Sequence, residues 1–301
     1  MNLIKTISFL LLLFLPATIL GQSKNTSILA QEIYMPELPD KLDFAGENVP
    51  LNYFDVRESL QRELAIMCYW HATMMYTTQL TNRYLAVIEP ILKKNDIPDD
   101  FKYLCIAESN LQNVVSPAKA AGFWQIMSAT AKQYGLEVTA EVDERYHLEK
   151  ATVAACKYLK DAYKKFGNWT LAAASYNVGM AHIEGQVTRQ KTSSYYDMAL
   201  NAETARYVYR SLAYKIFLNN PEKYGFKIDE KFLFPPLKYK EVKVKTSISN
   251  LAEFAQKNGT NYKMIKYFNP WLLSDKLTIN TKAPKEYTIK IPEKGFRQNA
   301  Y

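Results

Sequence analysis

The stretch that decides the fold is Phe101-Lys-Tyr-Leu-Cys-Ile-Ala-Glu108-Ser109-Asn110. As a helix, it places Glu108 on the same face as its apolar residues, because the spacing i, i+3, i+4, i+7 runs from Phe101 to Glu108. A carboxyl group at an apolar position is desolvated, which raises its pKa and suits it to act as a general acid near neutral pH. Asp99, just upstream, is placed to cap this helix. A glutamate that points to solvent at the helix end is the alternative, and this segment alone does not decide between the two.

Composition indicates a globular protein with one large core and a second, small unit. The chain has 301 residues, of which 48% are hydrophobic, with 13 Pro and only 10 Gly. Its formal charge of +8 could suit an anionic partner, but the lysines are scattered, which favours an ordinary solvated surface. We therefore expect a monomer with no nucleic-acid partner.

Cysteine and histidine usage argues against a metal site. Cys68, Cys105 and Cys156 lie far apart in apolar helical patterns, which is typical of small buried side chains. The three His residues show no paired spacing with these cysteines. We expect neither a metal nor a cofactor.

The first residues predict an export signal over residues 1–21. A short charged region, Met1-Asn-Leu-Ile-Lys5, precedes an apolar run from Ile7 to Leu15 and a small residue at Gly21. The run is short for a membrane span, and an uncleaved N-terminal anchor that associates with a membrane is the alternative. We expect an exported protein of the periplasm or cell envelope.

Helical periodicity dominates residues 54–233, after a stretch over residues 22–53 that we expect to be an extended N-terminal arm. Residues 54–94 show a long helical pattern with a break between Met67 and Met75. Further helices are predicted by apolar spacing and by Gly or Asn at their ends, over 124–134, 148–166, 169–176 and 203–218.

The pattern changes after Pro236 to a small β-α-α-β unit over residues 238–292. Alternation of polar and apolar residues over Lys238–Lys245 and again over Tyr287–Ile291 predicts two strands. Helical spacing predicts two helices between the strands, over 248–258 and 262–268. A unit of about 55 residues is near the lower limit that one core stabilises alone.

Four short blocks carry the chemistry. In chain order they are Glu108-Ser109, Ser116-Pro-Ala-Lys-Ala-Ala-Gly122-Phe-Trp124-Gln125-Ile-Met127, Ala172-Ala-Ala-Ser-Tyr176-Asn177-Val-Gly179 and Glu203-Thr-Ala-Arg-Tyr207-Val208. Together they resemble the catalytic domain of lytic murein transglycosylases of the soluble-lytic-transglycosylase-like family, with the membrane-bound transglycosylase D subgroup as the nearest match. The resemblance covers roughly residues 80–215. It implies a mainly α fold, with a lysozyme-like helical catalytic domain and a groove for peptidoglycan glycan strands.

The resemblance also implies a role for each matched residue. Glu108 matches the sole catalytic acid/base, and Ser109 matches the serine that supports the acid and the substrate. The residues expected to bind the glycan are Ser109, Gly122, Trp124, Gln125, Tyr176, Asn177, Glu203 and Tyr207. Local alternatives stay open at three of them, because Trp124 could simply be a core residue, Asn177 could simply end a helix and Glu203 could simply stabilise a helix start.

A single carboxylate implies lytic transglycosylation. Most glycosidases use two acids, whereas here Glu108 would protonate the bond between N-acetylmuramic acid and N-acetylglucosamine and then take the proton of the sugar's 6-hydroxyl, which gives a 1,6-anhydro end. A lysozyme-type hydrolase is the alternative and needs a second carboxylate, for which Asp143 is the candidate. A non-catalytic wall-binding scaffold is a third reading, against which the intact blocks argue.

Residues 238–292 resemble a degenerate LysM repeat, a module that binds glycans containing N-acetylglucosamine. The resemblance is carried by the β-α-α-β order and by Ile248-Ser-Asn-Leu-Ala252, Asn269-Pro270 and Ile289-Lys-Ile-Pro292. The usual opening Gly-Asp-Thr is absent, and Thr246-Ser-Ile-Ser249 stands near its place. Glycan binding is what the resemblance implies, and a small structural appendage is the alternative.

Overall fold

The computed structural model describes residues 34–282 and 284–298. The predicted signal peptide, residues 1–21, and the start of the predicted arm lie outside the described residues. The described part is mainly helical, as predicted. Its helices are α1 Phe54–Tyr69, α2 His71–Lys94, α3 Phe101–Ser109, α4 Ser128–Gln133, α5 Leu148–Phe166, α6 Trp169–Val178, α7 Met180–Gln190, α8 Thr204–Asn219, α9 Leu251–Lys257 and α10 Tyr262–Phe268. Its strands are β1 Asp43–Phe44, β2 Glu47–Asn48, β3 Tyr239–Val244 and β4 Tyr287–Pro292.

Helix boundaries follow local sequence signals in most places. The predicted break in the first helical pattern is confirmed at Trp70, between α1 and α2. Helix α5 ends at Gly167, whose φ of 75° is left-handed and therefore suits glycine. Asn168 then caps α6, because its side-chain oxygen accepts the backbone N–H of Leu171 at 2.8 Å.

The core of the helical region is built around α3. Phe101, Leu104 and Cys105 are fully buried, and α3 packs against α8. Burial of Phe101 or Leu104 stabilises the fold by about 1.5–3 kcal/mol each. Glu108, on the same helix, is only partly exposed. The apolar face predicted for this helix is thus confirmed, and the solvent-facing alternative for Glu108 is wrong.

Residues 36–53, which belong to the expected extended N-terminal arm over 22–53, pack against the helical core. They contain the β1–β2 hairpin and bury Phe44 and Val49 in the helical core. The carboxylate of Glu47 accepts the backbone N–H groups of Trp169 at 2.5 Å and Thr170 at 2.9 Å, so it stabilises the start of α6. Isolated apolar residues between prolines give no periodic signal, which is why the sequence pattern did not predict this packing.

Two predicted helix starts are wrong. Asp99 does not cap α3, because its carboxylate pairs with the Lys102 ammonium at 2.5 Å instead. The helix predicted over 124–134 begins only at Ser128, since Gln125 adopts a left-handed φ of 45° that an α-helix does not allow. Helix α7 is a further element that the periodicity did not predict.

The C-terminal module, residues 238–292, has the predicted β-α-α-β order. Strands β3 and β4 form an antiparallel ribbon with Val242 opposite Ile289. The carboxamide of Asn269 is buried and bonds both backbone groups of Lys290, with its nitrogen 2.7 Å from the carbonyl and its oxygen 2.8 Å from the N–H. This side chain ties the end of α10 to β4. The buried core of the module includes Val244, Leu251, Ala255, Ile265, Trp271, Leu272, Leu277, Ile289 and Ile291.

Candidate active site

Glu108 lies in the last turn of α3, beside α8. Burial raises the pKa of its carboxyl group to about 7 from an ordinary value of 4.5. A hydrogen bond from Tyr207 and the positive charge of Arg210 act in the opposite direction, and the charge of Glu203 adds a small increase. The result is an acid that is half protonated near neutral pH, which is the range a general acid needs.

The Tyr207 hydroxyl donates a hydrogen bond to Oε1 of Glu108. Tyr207 is 2% exposed, so its ring is core and only its hydroxyl reaches the acid. Burial and the nearby Glu108 charge raise its pKa well above the usual value, so the phenol stays a donor. Because Oε1 accepts this hydrogen bond, the acidic proton of Glu108 is favoured on Oε2.

Ser109 anchors the neighbouring loop. Its buried hydroxyl donates to the Phe123 carbonyl at 2.8 Å. This loop, residues 119–126, is called the groove loop below. Tyr176 holds the same loop from α6, because its hydroxyl donates to the Trp124 carbonyl at 2.8 Å. Two of the predicted substrate-binding residues therefore fix a loop through its backbone.

Gly122 and Trp124 have structural roles: Gly122 leaves room for a neighbouring backbone, and the Trp124 side chain lies in the core. At Gly122, with φ +81°, an added Cβ would lie 2.0 Å from the backbone oxygen of Arg145, so only glycine fits. Trp124 is fully buried, and its indole N–H donates to the Thr152 hydroxyl at 2.9 Å. The expectation that the Trp124 side chain contacts a glycan is wrong, because the buried ring has no solvent-exposed surface.

Gln125 lies near the C-terminal end of the groove loop and lines a cavity of about 270 Å³. Its carboxamide nitrogen donates to the carbonyls of Gly122 at 2.7 Å and Val114 at 3.0 Å. These bonds turn the amide towards its own loop. Tyr176 and Asn177 line the same cavity from the end of α6. The second and third sequence blocks thus meet at one opening.

Asn177 joins the third block to the fourth. Its amide nitrogen donates to Oε1 of Glu203 at 3.2 Å, and its oxygen accepts the Thr204 hydroxyl at 2.9 Å. Glu203 is exposed. Since Tyr207 on the same helix bonds Glu108, all four blocks converge on the end of α3.

Arg210 is a site residue that the sequence reading missed. It affects the pKa of Glu108 through its charge. Spacing could have found it, because Glu203, Tyr207 and Arg210 follow one helical face at i, i+4 and i+7. In the described part of the chain, no group of three or more His, Cys, Asp or Glu side chains is arranged to hold a metal ion.

Comparison with known families agrees with this geometry. Residues 86–199 match the family model described as Transglycosylase SLT domain. The match spans the blocks that contain Glu108, Gln125 and Tyr176. Residues 86–199 are therefore similar to transglycosylase SLT domains. Residues 240–295 match a second family model, Soluble lytic transglycosylase C-terminal LysM-like domain.

Two curated relatives align with most of this chain, and a third aligns with a shorter part of it. The chain is 28% identical over 252 residues to proteins named Membrane-bound lytic murein transglycosylase D from Escherichia coli strains K12 and O6:H1, an alignment that covers 81% of this chain and 53% of each relative. It is 30% identical over 124 residues to a Putative tributyltin chloride resistance protein of Alteromonas sp. strain M-1, with 38% of this chain and 58% of that protein covered. The chain spans about half the length of the first relatives it matches. Among residues 34–282 and 284–298, no helix has the length and apolar character needed to cross a membrane.

Proposed function

We propose that this protein is a lytic transglycosylase that cleaves the β-1,4 bond between N-acetylmuramic acid and N-acetylglucosamine in peptidoglycan and leaves 1,6-anhydro ends. The observation that carries the proposal is the carboxyl group of Glu108, whose pKa burial raises to about 7 where the four blocks meet. The similarity to SLT domains and the names of the Escherichia coli relatives support the substrate class.

In the first step Glu108 acts as general acid. Oε2 of Glu108 donates its proton to the glycosidic oxygen as the bond to the anomeric carbon breaks. The 2-acetamido group of the substrate covers the positive charge that forms at that carbon. The Tyr207 hydrogen bond to Oε1 stabilises the carboxylate that results.

In the second step the same residue acts as base. The Glu108 carboxylate takes the proton of the 6-hydroxyl, whose oxygen closes onto the anomeric carbon. The proton lost in the first step is thereby regained, so no water is consumed and the enzyme returns to its starting state. Asn177, fixed by Glu203 and Thr204, would orient the acetamido group of the sugar.

The arrangement around Asp143 favours this mechanism over the hydrolase alternative. Asp143 is 3% exposed, and both of its oxygens accept hydrogen bonds from Arg145. A general base for water needs an oxygen free to accept the water's proton. A carboxylate enclosed by a guanidinium lacks one, which leaves Glu108 as the acid and the base.

Digestion of purified peptidoglycan followed by mass spectrometry of the released muropeptides tests the proposal. We expect anhydro ends in the products. Reducing ends, which are one water heavier, would instead indicate hydrolysis, and no release would support a scaffold. Glu108→Gln should abolish release while retaining the fold, because the glutamine oxygen can still accept the Tyr207 hydrogen bond.

Domain roles and location belong to the same proposal. Residues 54–233 would form the catalytic domain, and the C-terminal module would bind glycan strands. Residues 1–21 would direct a monomeric protein to the periplasm or cell envelope. Co-sedimentation with peptidoglycan, and the N-terminal sequence of the mature protein, would measure these two properties.

A further inference from the structure

The segment between α4 and α5 lies within the region that matches the SLT family model, and it also packs into the C-terminal module. This connecting segment, residues 137–149, inserts Val142, which is 1% exposed, into the core of the module. Val142 forms an isolated bridge with Leu272, and the backbone N–H of Asp143 donates to the Trp271 carbonyl at 2.9 Å. A module whose core includes a residue of the other domain is not a freely tethered module.

Side chains of the connecting segment lock the same junction. The carboxylate of Glu141 accepts the backbone N–H of Thr278 at 2.7 Å and its hydroxyl at 3.1 Å. The backbone hydrogen bond from Thr278 lowers the pKa of Glu141, as expected for a contact with the ionised form. The Tyr287 hydroxyl donates to Glu137 at 2.9 Å. The module therefore fixes the segment at both ends of the inserted valine.

Arg145 connects this segment to the groove loop. Its guanidinium binds Asp143 through Nε at 3.0 Å and Nη2 at 2.7 Å. Its Nη1 donates to the carbonyl oxygens of Lys119 at 3.0 Å and Ile126 at 3.2 Å, which are the two ends of the groove loop. These four bonds suit a guanidinium, which has five N–H donors in a planar fork, whereas an ammonium has only three donors.

The groove loop is in turn fixed to the catalytic helix. The Ser109 hydroxyl bonds the Phe123 carbonyl, and Gly122 packs directly against the backbone oxygen of Arg145. The loop is therefore held between α3, which carries Glu108, and the connecting segment, which the module holds. Displacement of either support changes the position of Gln125 relative to the acid.

We propose that Arg145 is a positioning residue that couples the C-terminal module to the catalytic groove by holding both ends of the groove loop. The inference rests on the proposed function, since its consequence is measured as glycan cleavage. The module is, on this view, a fixed support of the active site in addition to any glycan binding of its own.

The test uses Arg145→Lys in the full chain. A lysine keeps a charge pair with Asp143, so the variant should fold, but its single ammonium does not reproduce the fork that also binds Lys119 and Ile126. We expect the backbone amides of Ala121 and Ile126, which bond each other's carbonyls across the loop, to exchange hydrogen for deuterium about tenfold faster. We expect kcat to fall by roughly 10- to 100-fold, because a small misplacement of a binding loop has that effect.

Lys150→Met is the matched control. Lys150 pairs at 2.5 Å with Glu144, another buried carboxylate of the connecting segment, and Glu144 keeps Lys285 as a partner at 3.2 Å. This control removes an ion pair of the same region without touching the groove loop. It should lower thermal stability slightly and leave amide exchange in the loop and kcat at wild-type values.

Each outcome decides the inference. Faster loop exchange with lower kcat in Arg145→Lys, and neither change in Lys150→Met, supports it. Unchanged loop exchange, or faster exchange with wild-type kcat and KM, overturns it, and so does equal loss in both variants. If the wild-type protein itself releases no anhydro products, the proposed function fails, and that failure is recognised from the wild type before any variant is compared.

Discussion

Glu108→Gln should make the protein more stable above neutral pH while it removes activity. The native pKa of about 7 exceeds the ordinary 4.5, so the folded state holds a proton that the unfolded state releases. The stabilisation that the protonated Glu108 carboxyl gives to the folded state is complete below about pH 4.5, falls as the pH rises, and is lost once the pH passes about 7. At about 1.4 kcal/mol per pH unit, the difference between 4.5 and about 7 corresponds to a loss of at most about 3.5 kcal/mol. Partial exposure of Glu108 makes this an upper limit.

Glutamine is neutral at every pH and keeps an acceptor for Tyr207. The difference in free energy of unfolding between Glu108→Gln and wild type should therefore grow by up to about 3 kcal/mol between pH 4 and pH 8. Urea unfolding followed by circular dichroism at pH 4, 6 and 8 measures it. The comparison of two variants at each pH cancels the titration of all other groups.

Glu58→Gln is a suitable control, because Glu58 is an exposed glutamate on α1. It should change stability equally at pH 4 and pH 8. The reasoning is refuted if Glu108→Gln shows the same stability difference from wild type at all three pH values, since the carboxyl group would then not be desolvated. Release of anhydro-muropeptides by Glu108→Gln at the wild-type rate would refute the catalytic role independently.

Three other predictions concern the neighbours of the acid, the groove loop and the charge of the module. Tyr207→Phe removes a hydrogen bond that lowers the pKa of Glu108, so the alkaline limb of the pH profile of kcat/KM should move up by about 1–2 pH units, and an unmoved limb would contradict this. Gly122→Ala forces a Cβ to within 2.0 Å of a backbone oxygen and should reduce the free energy of unfolding, measured by urea titration, by about 2 kcal/mol or more. Gly185→Ala in α7, where an added Cβ meets open space, should be neutral or slightly stabilising in the same measurement. From residue 238 onward the chain has 13 Lys and Arg against 5 Asp and Glu, a formal charge of +8 that equals the charge of the whole chain. Binding to peptidoglycan should therefore weaken with added salt, while binding to uncharged chitin should not. Equal salt dependence on the two polymers would argue against a role of this charge.

Local sequence patterns predicted those parts of the fold that depend on neighbours along the chain. The bounds of α5, the break between α1 and α2 and the β-α-α-β order of the module are all set by periodicity and by glycine or asparagine at helix ends. The periodicity of apolar residues made no prediction where packing depends on residues distant in sequence. Phe44 and Glu47 complete the helical core and the start of α6 from a hairpin that has no periodic signal.

The amino-acid sequence by itself determined that Glu108 follows the apolar positions of a helix at i+7 and that four blocks stand in order along the chain, because side-chain periodicity and short motifs are properties of the chain alone. Only the tertiary structure decided what each block does. In the folded protein Trp124 is buried in the core, the Ser109 hydroxyl donates to a loop carbonyl, and the Asp143 carboxylate is bound by the Arg145 guanidinium. The reason is physical: desolvation and hydrogen-bond partners, which set the pKa of an acid and the reach of a side chain, come from residues that are distant in sequence and meet only on folding.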